Sequence, residues 1–318
     1  MIVKPENLTF SDKHFSMILY GAPGVGKSTL ALSAPSPVLI DFDKGISRVR
    51  AEHRKDTIVC RTHEEVLADV NSPEMAGYET VIIDTGGSFI SYLQDWAIRS
   101  NPAQNRQKNG ALSQKGFGAV KQEFIRFTSY LRDTLNKNVI YIFHSEEQKD
   151  RDGNPTQRLM CEGSARNIVW QPCDFGGYVQ MIGESRRVCF TPTDEFFAKG
   201  CHGIAGQRTV PTLAPGEKND FISRLFDEAK ANIEAESELY AAEREKYAAA
   251  MEQAAVILEA VDDPVSATAA IGTLKNLQHA LTSLRECSAK LHQKATELGL
   301  TFDKASGAYI AKEATANA

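Results

Sequence analysis

One glycine-rich segment sets the expectations for the whole chain, and it reads Gly21-Ala22-Pro23-Gly24-Val25-Gly26-Lys27-Ser28-Thr29. It follows the apolar run 17–20 and precedes Leu30-Ala31-Leu32, which can continue a helix. This strand–loop–helix context is what the pattern G-x-x-x-x-G-K-[ST] needs as a phosphate-binding loop. Glycines let backbone N–H groups face phosphate oxygens, Lys27 reaches the β- and γ-phosphates, and the Ser28 hydroxyl joins a Mg2+ shell. The segment therefore predicts a nucleoside triphosphate site.

The composition bounds the class of protein. A chain of 318 residues with 42% hydrophobic and 24% charged residues suits one large domain with an appendage, or two domains. No run of about 18 apolar residues occurs, so we expect no membrane span and a cytoplasmic protein. Six cysteines, at positions 60, 161, 173, 189, 201 and 287, lack CxxC spacing and are expected to be reduced thiols. A metal site at Cys201-His202 and Cys189 is the less favoured alternative.

The net charge of −5 is unevenly distributed. Residues 219–318 hold 16 acidic and 10 basic side chains, a net charge of −6, which leaves +1 for residues 1–218. The N-terminal part can therefore contact nucleic acid, although its charge does not by itself indicate this. The acidic tail could imitate a DNA backbone and cover basic loops, a hypothesis that deletion of residues 230–318 would test.

Buried strands alternate with helices along the N-terminal part. Strands are predicted at 38–43, 57–60, 78–84 and 139–144, and helices at 63–70, 88–98 and 120–135. Tyr78–Asp84 is an apolar strand that ends in an acid, which is typical of a Walker B strand, so Asp84 is predicted to hold Mg2+. Each strand ends in a polar residue, which indicates an α/β fold with a mostly parallel sheet and a site at its carboxyl edge.

Two polar segments interrupt this pattern. Residues 101–118 are predicted to form a long basic loop, and residues 146–162 a hairpin with Asp152-Gly153-Asn154-Pro155 at its tip. Further strands, predicted to be antiparallel, follow at 175–180 and 187–191.

The composition changes near Asn219, where helical periodicity takes over. One helix is predicted up to about residue 260, and Asp262-Asp263-Pro264 ends it and starts a second. Leucines 274, 277, 281, 284, 291 and 298 follow a heptad-like spacing in that second helix. Such helices form an antiparallel hairpin or a self-association element, or they pack on their own ATP-binding domain. The predicted domains are residues 1–226, a helical extension 227–302 and a disordered tail 303–318.

Several of these segments together resemble the RecA-like P-loop ATPases, in particular phage-encoded, RecA-core-only proteins of single-strand annealing and recombination. The resemblance covers about residues 14–226 and rests on 21–29, 38–45, 81–88, 116–124, 139–144 and 197–208. It implies a RecA-like core that binds ATP and Mg2+, with Ser28 and Asp84 at the metal. It further implies that Asp43 polarises the attacking water, with Asp41 as an alternative, and that His144 senses the γ-phosphate. The family commonly has Glu where this chain has Asp43, and Gln where it has His144.

The same resemblance suggests residues that act beyond the phosphate site. In oligomeric ATPases of this kind a basic residue from the adjacent subunit completes the site, and Lys199 and Arg208 match best, with Arg186 and Arg187 as alternatives. Single-stranded DNA contacts are expected in the basic 101–118 loop and in a hairpin region taken as 146–166, since phosphates attract cations and bases stack on aromatics. The candidates are Arg106, Lys108, Lys115 and Phe117 in the first segment and Lys149, Arg151, Arg158 and Arg166 in the second.

The leading functional hypothesis is an oligomeric, ATP-hydrolysing DNA-recombination protein that anneals or exchanges single strands, active in the host cytoplasm if a phage encodes it. A helicase or loader would use the same catalytic residues. A third hypothesis is an ATP-switched scaffold that binds a protein partner through its C-terminal helices; Asp rather than Glu at position 43 favours it. A small-molecule kinase fits less well, because no Arg-rich lid segment follows the core.

Overall fold

The computed structural model describes residues 2–3, 10, 12–59, 61–150, 152–161 and 169–312. The chain is divided into two compact units. The first unit is Thr9–Asn232, and the second unit is Ile233–Ala318 with Met1–Leu8. The predicted domain boundary at 226/227 lies inside the helix Phe221–Glu259. None of the helices in the described ranges is both long and apolar enough to cross a membrane.

A nine-stranded sheet forms the centre of the first unit. Its strands, in chain order, are β1 (Ser16–Gly21), β2 (Pro37–Asp41), β3 (Thr57–Ile58), β4 (Thr80–Asp84), β5 (Asn138–Lys149), β6 (Pro155–Leu159), β7 (Phe175–Ile182), β8 (Ser185–Cys189) and β9 (Gln207–Thr209). In space the order is β3-β2-β4-β5-β1-β7-β8-β9, and β6 pairs with β5. The pairs from β3 to β7 are parallel, whereas β8, β9 and β6 add antiparallel pairs. The predicted α/β fold with a mostly parallel sheet is confirmed.

The central strands are buried on both faces, and this explains their composition. Every residue of β1 and β4 is buried, and so are the first six residues of β5. Parallel sheets are covered by helices on both sides, so such strands read as continuous apolar runs. β5 lies between β1 and β4, with Gly21 opposite His144 and Asp84 opposite Ile142. The carboxyl ends of β1 and β4 therefore lie beside the middle of β5, near His144, and β5 continues past the predicted strand end at 144 to Lys149.

Among the described residues, the helices that accompany this sheet include α1 (Lys27–Ala31), α2 (His63–Val70), α3 (Gly86–Ser100), α4 (Pro102–Asn105) and α5 (Gln114–Ser129), the last extended by a π-helical turn at Tyr130–Thr134. The helix predicted at 63–70 is confirmed, and Thr62 caps it by accepting a hydrogen bond from the Glu65 amide at 3.2 Å. The predicted hairpin is confirmed as well, because Ser145–Lys149 pairs with residues 155–159.

The prediction of one long loop at 101–118 is wrong. Asn101 caps α4 by accepting from the Gln104 amide, and Ser113 caps α5 by accepting from the Gly116 amide at 3.1 Å. Both side chains satisfy amides that the first turn of a helix leaves unpaired. Lys115 and Phe117 consequently lie on the first turns of α5 rather than in a loop.

The described part of the second unit contains three helices and a small hairpin: α6 (Phe221–Glu259, which begins in the first unit), α7 (Pro264–Lys275), α8 (Ser283–Glu297), β10 (Leu300–Asp303) and β11 (Ala308–Ala311). Asp263 caps α7 through a capping box with Ser266. The core of the unit joins the end of α6 to α7, α8 and the hairpin, and its buried members include Ala254, Leu274 and Leu291. The Tyr309 amide donates to Thr268 Oγ1 at 2.9 Å and so fixes the hairpin on α7.

Two predictions for this unit are wrong. The second helix does not run continuously from 264, because it stops at Lys275, where the His279 imidazole bonds the Leu274 carbonyl at 2.7 Å. The leucine series therefore forms no continuous seam: Leu274 and Leu291 are buried, but Leu281 and Leu284 are about half exposed. The predicted disordered tail begins instead with an ordered turn and β11, since Asp303 binds the amides of residues 305 and 306. The rest of the predicted tail, residues 313–318, lies outside the described residues.

Candidate functional site

The glycine-rich segment forms a tight loop between β1 and α1. A Cβ at Gly21 would lie 2.1 Å from the Val179 carbonyl oxygen, so only glycine fits where β1 passes β7. Gly26 has a φ of 88°, a conformation that side chains disfavour, and it immediately precedes α1. These constraints explain why the motif has glycine at positions 21 and 26.

Lys27 is held inside this loop. Its side chain is 5% exposed, and the ammonium group donates to the carbonyls of Gly21 at 3.0 Å and Ala22 at 2.8 Å. Burial lowers the pKa of Lys27 to about 8, although the carboxylates of Asp84 and Asp43 act in the opposite direction. A cation that is partly desolvated in this way gains strongly from a phosphate oxygen brought beside it.

Ser28 and Asp84 meet as a magnesium site requires. The Ser28 hydroxyl donates to Asp84 Oδ2 at 2.6 Å, although 56 residues separate them in sequence. Burial raises the pKa of Asp84 to about 6, and the carboxylates of Asp43 and Asp41 raise it further, while the Ser28 hydroxyl and Lys27 oppose this. A hydroxyl paired with a buried carboxylate, with two further carboxylates acting on it, fits a hard divalent cation.

Asp43 and Asp41 have different surroundings, which separates their roles. Asp41 is 3% exposed, and its carboxylate accepts from the amides of Gly45 at 2.8 Å and Ile46 at 2.9 Å, so it stabilises the turn after β2. Asp43 instead accepts hydrogen bonds from the hydroxyls of Thr85 and Ser88 and lines a pocket of about 580 Å3. Of the two, Asp43 is the carboxylate placed to meet a water molecule.

His144 lies between the lysine and this carboxylate. Its Nδ1 is 3.5 Å from Lys27 Nζ, and its Nε2 is 4.0 Å from Asp43 Oδ2. Burial lowers the pKa of His144, and the charge of Lys27 lowers it further, although Asp43 opposes this. The imidazole is therefore neutral at physiological pH, with Nδ1 as the acceptor toward Lys27 and a proton on Nε2.

The structure adds residues that sequence reasoning did not assign to the phosphate site. Thr85 and Ser88 hold Asp43 in place through their hydroxyl groups. The sequence could have drawn attention to them, because a threonine followed three residues later by a serine is typical of a helix N-terminus, and Thr85 does cap α3 by accepting from the Ser88 amide. Arg186, on β8, donates from Nε to the Val25 carbonyl at 2.6 Å and packs on Gly26. No local pattern marks Arg186, because it reaches the loop from 161 positions away. In this chain it contacts its own phosphate loop, whereas the sequence suggested it as an alternative residue for a neighbouring subunit.

The two preferred candidates for such a role have contacts within their own chain. Arg208 forms a two-point ion pair with Glu228, at 2.6 and 2.8 Å. Lys199 donates to the Cys173 carbonyl and lines a pocket with Trp170 and Phe197. Action of Lys199 or Arg208 on a neighbouring subunit stays a prediction.

The candidate DNA-binding residues fall into two groups. Arg106 and Lys108 lie on a turn between α4 and α5, and Lys115 and Phe117 lie on α5, with Phe117 51% exposed. Lys149 ends β5 and Arg158 lies on β6, so both belong to the hairpin. The remaining two candidates, Arg151 and Arg166, lie outside the described residues.

The less favoured metal site at Cys201-His202 and Cys189 is not the group that the structure brings together. Cys201 and His202 lie beside Asp174 rather than forming a group with Cys189. Asp174 forms an ion pair with Lys13 at 3.1 Å, and the Cys201 thiol donates to the Asp174 carbonyl at 3.1 Å. Burial raises the pKa of Cys201 to about 11. The carboxylate already has a cation and the thiol keeps its proton, so this group is satisfied without a metal.

A phosphate loop on β1, an aspartate on β4 that meets its serine, and the polar residue His144, which lies opposite Gly21 on the intervening strand, together define a P-loop NTPase. A comparison with protein-family models gives the particular family: the AAA domain model matches residues 13–202. This is more than half of the chain, and the chain therefore belongs to the AAA-domain family of P-loop ATPases. A search of curated proteins returned no match.

Proposed function

We propose that this ATPase is a RecA-like DNA-recombination protein, which binds single-stranded DNA as a homo-oligomeric ring or filament in the cytoplasm. One observation carries the proposal. β5 runs without interruption from His144, beside Lys27 and Asp43, into the hairpin that bears Lys149 and Arg158. A change at the phosphate site can thus reach two exposed or half-exposed cations through a single strand.

The residues of the site supply the elements of phosphoryl transfer. Lys27 would hold the β- and γ-phosphates, and Ser28 and Asp84 would hold Mg2+, which when bound neutralises phosphate charge. Asp43, fixed by its two hydroxyl partners, would orient the attacking water and accept its proton. His144 would exchange its contact with Lys27 for one with the γ-phosphate and so report whether that phosphate is present.

Two cations of the hairpin are the feature that favours nucleic acid as the second ligand, and the same hairpin carries four acids, Glu146, Glu147, Asp150 and Asp152. Lys149 is exposed at the end of β5, and Arg158 lies half-buried on the paired strand. Flexible cations neutralise a phosphate backbone without reading its sequence, which suits a protein that acts on single strands generally. A helicase or loader would share these residues but would move along DNA, and an ATP-switched scaffold would not respond to DNA.

ATP hydrolysis with and without single-stranded DNA tests the proposal. We expect DNA to stimulate the wild type, no turnover from Lys27→Ala, and loss of stimulation with retained basal turnover from Lys149→Ala/Arg158→Ala. Lys121→Ala, which removes an exposed cation from α5, is the matched control and should behave as wild type. Basal turnover that ignores DNA would refute the DNA function and leave the ATPase assignment intact.

A further inference from the structure

The second unit carries an apolar groove whose edge is positively charged. The groove has a volume of about 900 Å3 and lies between α7, α8 and the β10–β11 hairpin. Leu274 and Leu291 are buried beneath it, while Leu284 and Phe302 are 46% and 39% exposed. Large apolar side chains left half exposed around a cavity are a feature of binding surfaces.

The charge around the groove is opposite to that of the region that contains it. Lys275, Lys304 and Lys312 line it, and no Asp or Glu occurs among its described lining residues. All three lysines are exposed, and within the described part of the chain none of them forms an ion pair. Residues 219–318 nevertheless have a net charge of −6. The groove therefore selects for a ligand that is both apolar and acidic.

The chain itself presents such a ligand on α6. Every residue from 234 to 242 is exposed, so about two and a half turns of helix face solvent on all sides. Leu239 and Tyr240 are 66% and 44% exposed there. Glu236 and Glu243 lie three or four positions away on either side, which places them on the same face. The stretch 234–243 contains four glutamates and no basic residue.

This stretch cannot enter the groove of its own molecule. α6 is continuous from 221 to 259, and its residue Ala254 is fixed in the core of the second unit. A helix rises about 1.5 Å per residue, so Leu239 stands about 22 Å along the axis from that anchor. The rigid helix carries residues 234–243 away from the core and cannot fold them back.

We propose that the groove binds residues 234–243 of a second copy of this chain, with Leu239 and Tyr240 in the apolar floor and Glu236 and Glu243 against the lysines. The two surfaces differ, so the contact is either reciprocal in a dimer or repeated head to tail in a ring or filament. This inference does not depend on DNA binding. It specifies where copies of the chain would join.

A charge-exchange experiment on the full-length protein tests it. Sedimentation velocity at low salt should show self-association of the wild type that weakens as salt screens the charges. Lys275→Glu/Lys304→Glu/Lys312→Glu and, separately, Glu236→Lys/Glu243→Lys should each weaken it at least about tenfold, since like charges then face each other. An equimolar mixture of the two variants should associate again, because one supplies acidic grooves and the other basic helices.

A control variant in the same unit tests whether any change of charge weakens association. Lys290→Glu changes an exposed lysine of α8 that does not line the groove, and it should associate as the wild type does. All substituted side chains but Glu243 are exposed, and circular dichroism would check that each variant is folded. A wild type that stays monomeric at every concentration would overturn the proposal. Variants that associate normally, or a mixture that does not recover, would overturn it equally.

Discussion

Replacing Asp84 with asparagine is expected to stabilise the nucleotide-free protein while abolishing Mg2+-dependent turnover. Asp84 is 8% exposed, and burial raises its pKa from 3.8 to about 6. A shift of about two units corresponds to about 3 kcal/mol of free energy at about 1.36 kcal/mol per unit. The asparagine amide keeps an oxygen for the Ser28 hydroxyl but carries no charge, so it removes this cost and the metal ligand together.

The stability gained by Asp84→Asn should increase with pH. The folded protein holds the Asp84 proton up to about pH 6, whereas the unfolded chain releases it near pH 3.8. The folded state of the wild type therefore loses stability as pH rises from about 4 to about 6, and the loss is complete above that. The asparagine side chain mimics the protonated carboxyl group at every pH, so the gain of Asp84→Asn should be near zero at pH 4 and reach at most about 3 kcal/mol at pH 7.5.

Urea denaturation of metal-free, nucleotide-free protein at pH 4 and pH 7.5 measures this difference. Asp41→Asn is the control. The two carboxylate oxygens of Asp41 each accept a hydrogen bond from a backbone amide, whereas an asparagine side chain has only one oxygen that can accept. Asp41→Asn should lose about 1–2 kcal/mol at neutral pH. The reasoning is refuted if Asp84→Asn is no more stable than the wild type at pH 7.5, or if its gain is the same at both pH values.

Three further predictions test other contacts of the first unit. Burial alone would raise the pKa of Glu123, but hydrogen bonds from His63 and Arg126 lower it to about 2. Glu123→Gln should cost about 2 kcal/mol in urea denaturation at pH 7, because a neutral amide makes weaker hydrogen bonds than the carboxylate does, and the deficit should shrink as pH falls from 4.5 toward 2. Arg208→Ala should lower turnover about 1,000-fold if Arg208 completes a neighbouring site, at a loss of stability below about 1 kcal/mol; Glu228→Ala breaks the same ion pair and should keep its turnover, and equal turnover of all three proteins would contradict the role. His144→Ala should bind ATP but lose stimulation by single-stranded DNA, and His144→Gln should retain it; stimulation in both variants would exclude His144 as the sensor.

The sequence by itself determined the elements whose physical signals are local. Glycine spacing followed by Lys27 and Ser28 predicted the phosphate loop, because only glycine allows that backbone path. Continuous apolar runs predicted β1, β2, β4 and β5, because strands covered on both faces need apolar side chains at every position. An acidic residue at the end of an apolar run is typical of a Walker B strand, and this pattern predicted Asp84 as a magnesium ligand. Where local signals competed, as in the polar but capped segment 101–118, the prediction failed.

Only the tertiary structure decided which of these elements lie side by side. The central strands share one buried apolar pattern, so their order in the sheet cannot be read from composition, and it depends on how helices cover both faces. The position of β5 between β1 and β4 brings His144 within 3.5 Å of Lys27. The same packing brings Arg186 onto the phosphate loop from 161 positions away. Contacts over such distances arise from the pairing of whole strands, which leaves no mark at the residues that meet.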